Sequence, residues 1–387
     1  MLKRKMRRPR IERRILIVLR SLDVGGSQRQ ALHLARELRR AHGAVVAVWT
    51  LEKGGVLSRE LQEADIPWEN HAAIMGASGP GKILPLAALI RSMRRWRPDA
   101  IIPFNDLPNK VCNAVWKFTG GRTCFWNQRD EGREVTGRFL ERRAVRRAGV
   151  FAANSAEGAE FLARTFGIAP ERIHLIPNGV QLEPARQEKE DWRARLQAPA
   201  RSLLVSMVAH LHRFKDHETL LRAWAILQKE KADVDMRLVL AGRKEGTHAR
   251  LLQLSRDLDV GNSVLFPGFT DDVSGLLAAS DIGVFSSRCE GMPNGVLEYM
   301  AAGLPVAATR IAGITEALGV DYPLLVPAAD ARALADALLA LVRDEDLRRS
   351  LGQRNRLRAR ELFSVAAMAE RYAAILERCL EGGGAGR

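Results

Sequence analysis

The sequence predicts an α/β protein built of two doubly wound halves facing a central cleft. Three observations point there. Short apolar runs alternate with longer amphipathic segments, the pattern of βαβ units around mostly parallel sheets. The alternation stops at a polar stretch, 183–201, and then restarts. The chain's 387 residues also exceed one comfortable core, at roughly 150 residues per domain.

The first run, ILIVLR (15–20), is followed by a glycine-containing loop and a helix from about Ser27 to Arg40. VVAVWT (45–50) is the second strand, followed by helices near 57–64 and from about Leu84 to Trp96. Pro98 precedes the strand AIIPF (100–104). TCFWN (123–127) and GVFAAN (149–154) come next, then a helix over 156–165 and the strand IHLIPN (173–178). The polar stretch EPARQEKEDWRARLQAPAR reads as an inter-domain linker. Beyond it the pattern predicts strands LLVSMVA (203–209), MRLVLAG (236–242), VLFPG (264–268), IGVFSS (282–287), PVAAT (305–309) and LLVP (324–327). Helices are predicted over 217–229, 248–257, 272–279 and 294–301, and over most of 331–380. The tail EGGGAGR is expected to be disordered. Ligands of open α/β sheets sit beyond the carboxyl ends of the strands, so sites are expected in the loops after these runs.

Hydrophobic content of 47% and charged content of 27% are globular values. The net charge of +15 favours anionic partners without choosing among them. The first fourteen residues hold eight Lys or Arg and one Glu. That segment reads either as a solvated tail or as a tether to an anionic membrane, each basic side chain adding ~1 kcal/mol. The four cysteines are scattered, which fits reduced thiols in a cytoplasmic protein. No run approaches the ~18 apolar residues of a membrane span, and Ile15–Leu19 is too short for a signal peptide.

Several motifs tempt and fail. Gly76-Ala-Ser-Gly-Pro-Gly81-Lys82-Ile83 resembles a phosphate loop but ends on Ile83, which has no oxygen for a metal ion. Asp233-Val-Asp235 and Asp344-Glu-Asp346 read as solvated surface. His210, His212 and His217 lack an acidic or cysteine partner at a ligand spacing. Gly25-Gly26 lacks the third glycine of a dinucleotide fingerprint, yet still lets a ligand approach the backbone at a helix start.

The stretch from Ser286 to Val306 carries the chemistry. A strand ends near Ser287, a loop carries Glu290 and Gly291, and Pro293 suits a first helical turn. Glu298 lies about one turn further on. A carboxylate accepts paired hydroxyl hydrogen bonds, so one in the loop and one on the helix can grip two polyols.

This segment resembles the E-x7-E signature of the family 4 retaining glycosyltransferases, which have the GT-B fold of two Rossmann-like domains. Val208-Ala-His-Leu-His-Arg-Phe-Lys215-Asp-His, Phe266-Pro-Gly-Phe269, Asp281-Ile-Gly-Val-Phe and Ala312-Gly-Ile-Thr-Glu316 resemble further elements of that family. Val24-Gly25-Gly26-Ser27, Ala153-Asn-Ser155 and Ile176-Pro-Asn-Gly-Val180 do so in the first half. The resemblance covers most of 15–365.

The resemblance implies that Glu298 binds the donor ribose and Glu290 the sugar hydroxyls. Gly291, Met292, Pro293 and Asn294 would lie near sugar and diphosphate, and Lys215 would bind the diphosphate. Gly25 and Gly26 would admit the donor to the first domain, and Phe269 would line the base pocket. His210 stands where the family usually has Arg, with Arg213 as the substitute. Lys215, Arg213 and Glu290 are thus the catalytic candidates. No first-domain His matches the family's, and Asn105, Arg129 and Asp130 are the acceptor-side candidates.

The implied reaction is retaining hexosyl transfer from a nucleotide-diphosphate sugar (UDP or GDP) to a glycan or lipid-linked acceptor. It needs no metal or other cofactor and belongs to polysaccharide, lipopolysaccharide or glycolipid synthesis. The alternatives are a nucleotide-sugar epimerase or hydrolase of the same fold and, more distantly, a non-catalytic nucleic-acid binder. The sparse aromatics argue against nucleic acid. The expected divisions are a basic tail (1–14), an acceptor-side domain (15–185) and a donor domain (186–365). A last segment (366–387) would pack back on the first domain. The expected location is the cytoplasm, peripheral on the inner face of the membrane through the basic N-terminal region.

Overall fold

The computed structural model describes residues 13–52, 54–74, 81, 83–132, 137–231 and 233–381. The basic tail up to residue 12, most of the phosphate-loop look-alike and the glycine tail fall outside the described residues. The chain forms two compact units, one reaching to Gly179 and resuming at Val365, the other spanning Val180–Ser364.

The first unit holds a parallel sheet of β1 (Arg14–Leu19), β2 (Val45–Thr50), β3 (Trp68–Asn70), β4 (Ala100–Pro103), β5 (Thr123–Gln128), β6 (Val150–Ala153) and β7 (Ile173–Leu175). The strand order is β3-β2-β1-β4-β5-β6-β7. Its helices are α1 (Gly26–His42), α2 (Ser58–Glu63), α3 (Ile83–Trp96), α4 (Asp106–Val115), α5 (Phe139–Arg147) and α6 (Ala156–Phe166). Ile15 to Leu19 are all fully buried, as expected of a strand covered on both faces. Alternate residues feed two cores: Ile15, Ile17 and Leu19 face one cluster, Leu16 and Val18 the other.

The second unit holds β8 (Leu203–Val208), β9 (Met236–Ala241), β10 (Val264–Gly268), β11 (Ile282–Phe285), β12 (Val306–Thr309) and β13 (Leu325–Val326), in the order β10-β9-β8-β11-β12-β13. Its helices are α7 (Lys189–Arg195), α8 (His217–Glu230), α9 (His248–Asp257), α10 (Val273–Ala279), α11 (Asn294–Ala302), α12 (Ala312–Leu318), α13 (Ala331–Arg343) and α14 (Glu345–Leu362). A final helix, α15 (Val365–Glu381), belongs to the first unit. Met368, Ala369, Tyr372, Ala373 and Leu376 share a core cluster with Ile15, Ile17, Ala31 and Leu34, and the Tyr372 hydroxyl donates to Asn127 Oδ1 at 3.0 Å.

Some expectations are corrected here. The polar stretch 183–201 is not a free linker, because it contains α7. Trp192 is fully buried and donates from Nε1 to Asp272 Oδ2 at 2.8 Å. Arg193 donates to the carbonyls of Ala279 and Pro199, both at 2.9 Å. The charges that suggested solvent instead flank one anchored turn. The sequence pattern also missed β3, α4 and α12. The first is a three-residue edge strand, and the other two are short helices of ten and seven residues opened by Asn105-Asp106 and Ala312-Gly313.

All four cysteines are unpaired, and burial pushes the thiols of Cys112 and Cys124 up. No described helix is long and apolar enough to cross a membrane.

Candidate active site

In the second unit the loop after β8 and the loop after β11 are tied together. The Arg288 N–H donates to the carbonyl of Phe214 at 3.0 Å. The hydroxyl of Ser286 lies 2.9 Å from the carbonyl oxygen of Asp216, and that of Ser287 lies 2.8 Å from that of Phe214. Asp216 sits between the Arg213–Lys215 turn and α8 with φ 28°. This left-handed geometry is one that Asp accepts more readily than most residues. It reverses the chain so that Lys215 turns back toward β11.

Lys215 forms an ion pair with Glu290 Oε1, and its ammonium lies 5.1 Å from the centroid of the Phe285 ring. The Ser287 hydroxyl is 2.8 Å from the same carboxylate oxygen. Glu290 is buried, so it holds a charge out of water only because a cation and a hydroxyl meet it. Ser287 is in turn fixed by Thr309, whose hydroxyl accepts from the Ser287 N–H at 3.0 Å.

Pro293 is the N-cap of α11 and Asn294 its first residue, where the sequence pattern starts this helix. The helix is locked to the end of β8 in two ways. The Val208 N–H donates to the Tyr299 hydroxyl at 2.6 Å. A methyl group on Gly295 would lie only 2.7 Å from the Val208 carbonyl oxygen. Burial pushes the Tyr299 hydroxyl up, which keeps it neutral. Glu298, also buried, is thereby fixed on the same helix whose first-turn N–H groups favour an anion. The structure thus brings Lys215, Glu290 and the Gly291–Asn294 turn into one region, with Glu298 just beyond. Ser287 and Thr309 joined them unforeseen, since a serine at a strand end carries no signal by itself.

Other candidates stand apart. Arg213 is exposed, its guanidinium 4.7 Å from the Phe214 ring centroid, and is not paired with Glu290. His210 Nδ1 is 4.0 Å from Glu245 Oε1. Phe269 is exposed after β10, with the Arg243 guanidinium 5.7 Å from its ring centroid. His212 leans on Phe214, with ring centroids 5.0 Å apart, whereas His217 is buried. Among the described residues no group of three His, Cys, Asp or Glu is placed to hold a metal. The two acidic triplets serve local structure: Asp235 pairs with Arg237 and Asp344 Oδ1 accepts from the Leu347 N–H at 2.8 Å.

In the first unit Gly25 is the extended N-cap of α1 and Gly26 its first residue. Asn105, the residue before α4, has φ 73°. Asp130 Oδ1 accepts from Gln128 Nε2 at 2.7 Å and from the Gly132 N–H at 2.8 Å, so it closes a turn. Arg129 is turned inward, with Nη2 on Asn178 Oδ1.

The sequence model described as "Glycosyl transferases group 1" matches residues 202–344, and the one described as "Glycosyltransferase Family 4" matches residues 24–184. The chain belongs to the family 4 glycosyltransferases. Among curated relatives, this family 4 chain is 29% identical over 225 residues to D-inositol 3-phosphate glycosyltransferase of Corynebacterium diphtheriae, covering 56% of this chain and 53% of the relative. It is 32% identical over 170 residues to N-acetyl-alpha-D-glucosaminyl L-malate synthase of Bacillus anthracis, covering 43% of each. The family 4 chain thus spans about half the length of the curated relatives it matches. Its fold is that of Anabaena HepE solved with UDP, with a TM-score of 0.79 at 20% identity over 94% of this chain and 99% of that one. That likeness shows the GT-B architecture of two parallel-sheet domains.

Proposed function

We propose that this chain moves a hexose from a nucleotide-diphosphate sugar to a glycan or lipid-linked acceptor with retention of anomeric configuration, in cell-surface polysaccharide or glycolipid synthesis. The observation that carries this reading is the Lys215–Glu290 pair beside the start of α11, with Glu298 buried further along the same helix.

In this reading Glu298 holds the ribose and Glu290 the transferred sugar. As the anomeric carbon–oxygen bond breaks, negative charge grows on the departing diphosphate. Lys215 and the first-turn N–H groups of α11 are the donors this reading assigns to it, and preorganised electrostatics of this kind usually dominate catalysis. The acceptor hydroxyl attacks on the same face and passes its proton to the departing phosphate oxygen. No metal ion is required by this scheme.

The Anabaena protein was solved with UDP and with UDP-glucose, so UDP sugars come first in the test. A thermal-shift screen of UDP and GDP sugars on the full chain should show stabilisation by one nucleotide series. Donor turnover should then depend on an added acceptor. No stabilisation by any nucleotide sugar would overturn the reading, and donor conversion without acceptor would point to an epimerase or hydrolase.

We place the enzyme in the cytoplasm, against the inner face of a membrane. Exposed Phe139 and Leu140 open the arginine-rich helix α5, and such a mixture of basic and apolar groups suits an anionic lipid surface. Flotation with acidic liposomes at low salt tests this, and absence of binding would end it.

A further inference from the structure

The first unit contains a largely enclosed cation that has no counter-charge among the described residues. Arg129 follows β5, and its side chain runs between the ends of neighbouring strands. Phe104, just after β4, lies under the guanidinium, 5.1 Å from ring centroid to Cζ. Asn178, after β7, accepts from Nη2. Asn154, after β6, donates to the Arg129 carbonyl oxygen at 3.2 Å and to Asn178 Oδ1 at 3.3 Å.

Two guanidinium nitrogens, Nε and Nη1, are shut off from solvent without a well-formed hydrogen bond. Among the described residues no carboxylate pairs with Arg129. The Tyr372 hydroxyl lies beside the guanidinium and donates to Asn127; burial pushes it up, so it offers the cation a neutral oxygen and no anion. Burial in turn pulls the Arg129 guanidinium down. An arginine cannot relieve this by losing its proton at ordinary pH. Desolvating a charge without a counter-charge is among the costliest arrangements in a protein. A purely structural residue holding Asn178 could be neutral. The ends of parallel strands are also where open α/β sheets receive ligands.

We propose that Arg129 receives a carboxylate or phosphate group of the acceptor, which makes the acceptor an anionic molecule. This rests on the transferase reading above. A guanidinium binds an oxyanion through charge-assisted hydrogen bonds in its own plane, and Phe104 covers its face. Asn178 holds the guanidinium from one side, Asn154 steadies Asn178 and the Arg129 backbone, and both act as positioning residues.

The test uses the full chain carrying Lys215→Ala, which removes the other expected anion site, with inorganic phosphate and malonate as probes in calorimetry. Adding Arg129→Gln should weaken binding of at least one probe tenfold or more. Arg129→Lys keeps the charge but not the planar donor set, and should fall in between. With Lys215 intact, UDP affinity should change less than twofold on Arg129→Gln, so this proposal and the donor reading can fail separately. Equal probe affinity with and without Arg129, in either variant that folds, would overturn the proposal. So would a parallel loss of UDP affinity, which would assign the guanidinium to the donor.

Discussion

A methyl group on Gly313 would lie 1.5 Å from the carbonyl oxygen of Gly291. The first turn of α12 therefore seats directly under the acidic loop, and only a glycine fits. Gly313→Ala should displace that loop, lower nucleoside-diphosphate affinity by tenfold or more, and cost about 1–3 kcal/mol through overpacking. Calorimetry and urea unfolding measure the two effects, and unchanged affinity would separate the loop from donor binding.

Lys215→Ala should reduce saturated turnover by ~10², or ~3 kcal/mol of transition-state stabilisation. It also leaves Glu290 buried beside Ser287 alone, so a loss of stability should accompany it. Lys215→Ala combined with Glu290→Gln should recover stability but not turnover. Rates that survive the single substitution would remove Lys215 from the mechanism.

Glu298→Ala acts on binding rather than chemistry. Nucleoside-diphosphate affinity should fall well before the rate at saturating donor does. A variant that binds as tightly as the parent in calorimetry would show that the ribose is held elsewhere.

His217 gives the second unit an acid sensitivity. Burial, and next Lys215, pull its pKa from 6.5 down to about 3, against the pull of Asp216. Between those values the unfolded chain takes up a proton that the folded chain refuses. Stability therefore rises with pH across this window and is lost as pH falls from about 6.5, by up to ~1.4 kcal/mol per pH unit for each such group. His33 in the first unit, pulled to about 4 by burial first and then by Arg29 and Arg36, acts in the same direction. Urea midpoints at pH 7 and pH 5 should differ less in His217→Gln than in the parent, and an identical pH slope would refute the assignment.

Trp192→Ala should cost about 3–5 kcal/mol, as large buried truncations do. It also leaves Asp272 without one of its donors. A change below 1 kcal/mol in denaturant unfolding would restore the view of 183–201 as a mere connector.

The parallel cores were legible because short, almost wholly apolar runs such as Ile15–Leu19 recur between amphipathic segments, as strands covered on both faces require. The place of Glu290 and Glu298 around a strand-to-helix junction was legible because glycine and proline punctuate it. Ser287, Thr309 and the seat beneath Gly313 were not, since they act through contacts between residues distant in the chain. Trp192 was misread for the opposite reason. Its neighbours are charged, and nothing local reveals that Asp272, eighty residues on, accepts from its ring nitrogen. Arg129 could be named from sequence, but its enclosure appears only once Phe104 and Asn178 are brought beside it.

The placement of α15 has a consequence for synthesis. Residues 180–364 form a continuous stretch that can complete its own core as soon as it has left the ribosome. The first unit emerges earlier yet must wait, because Met368, Tyr372 and Leu376 are made only after the second unit. Until then Ile15, Ile17 and Leu34 lack the surface that covers them. The half of the protein that is translated first is thus the one finished second, and its exposed sheet face is what a chaperone would meet in the interval.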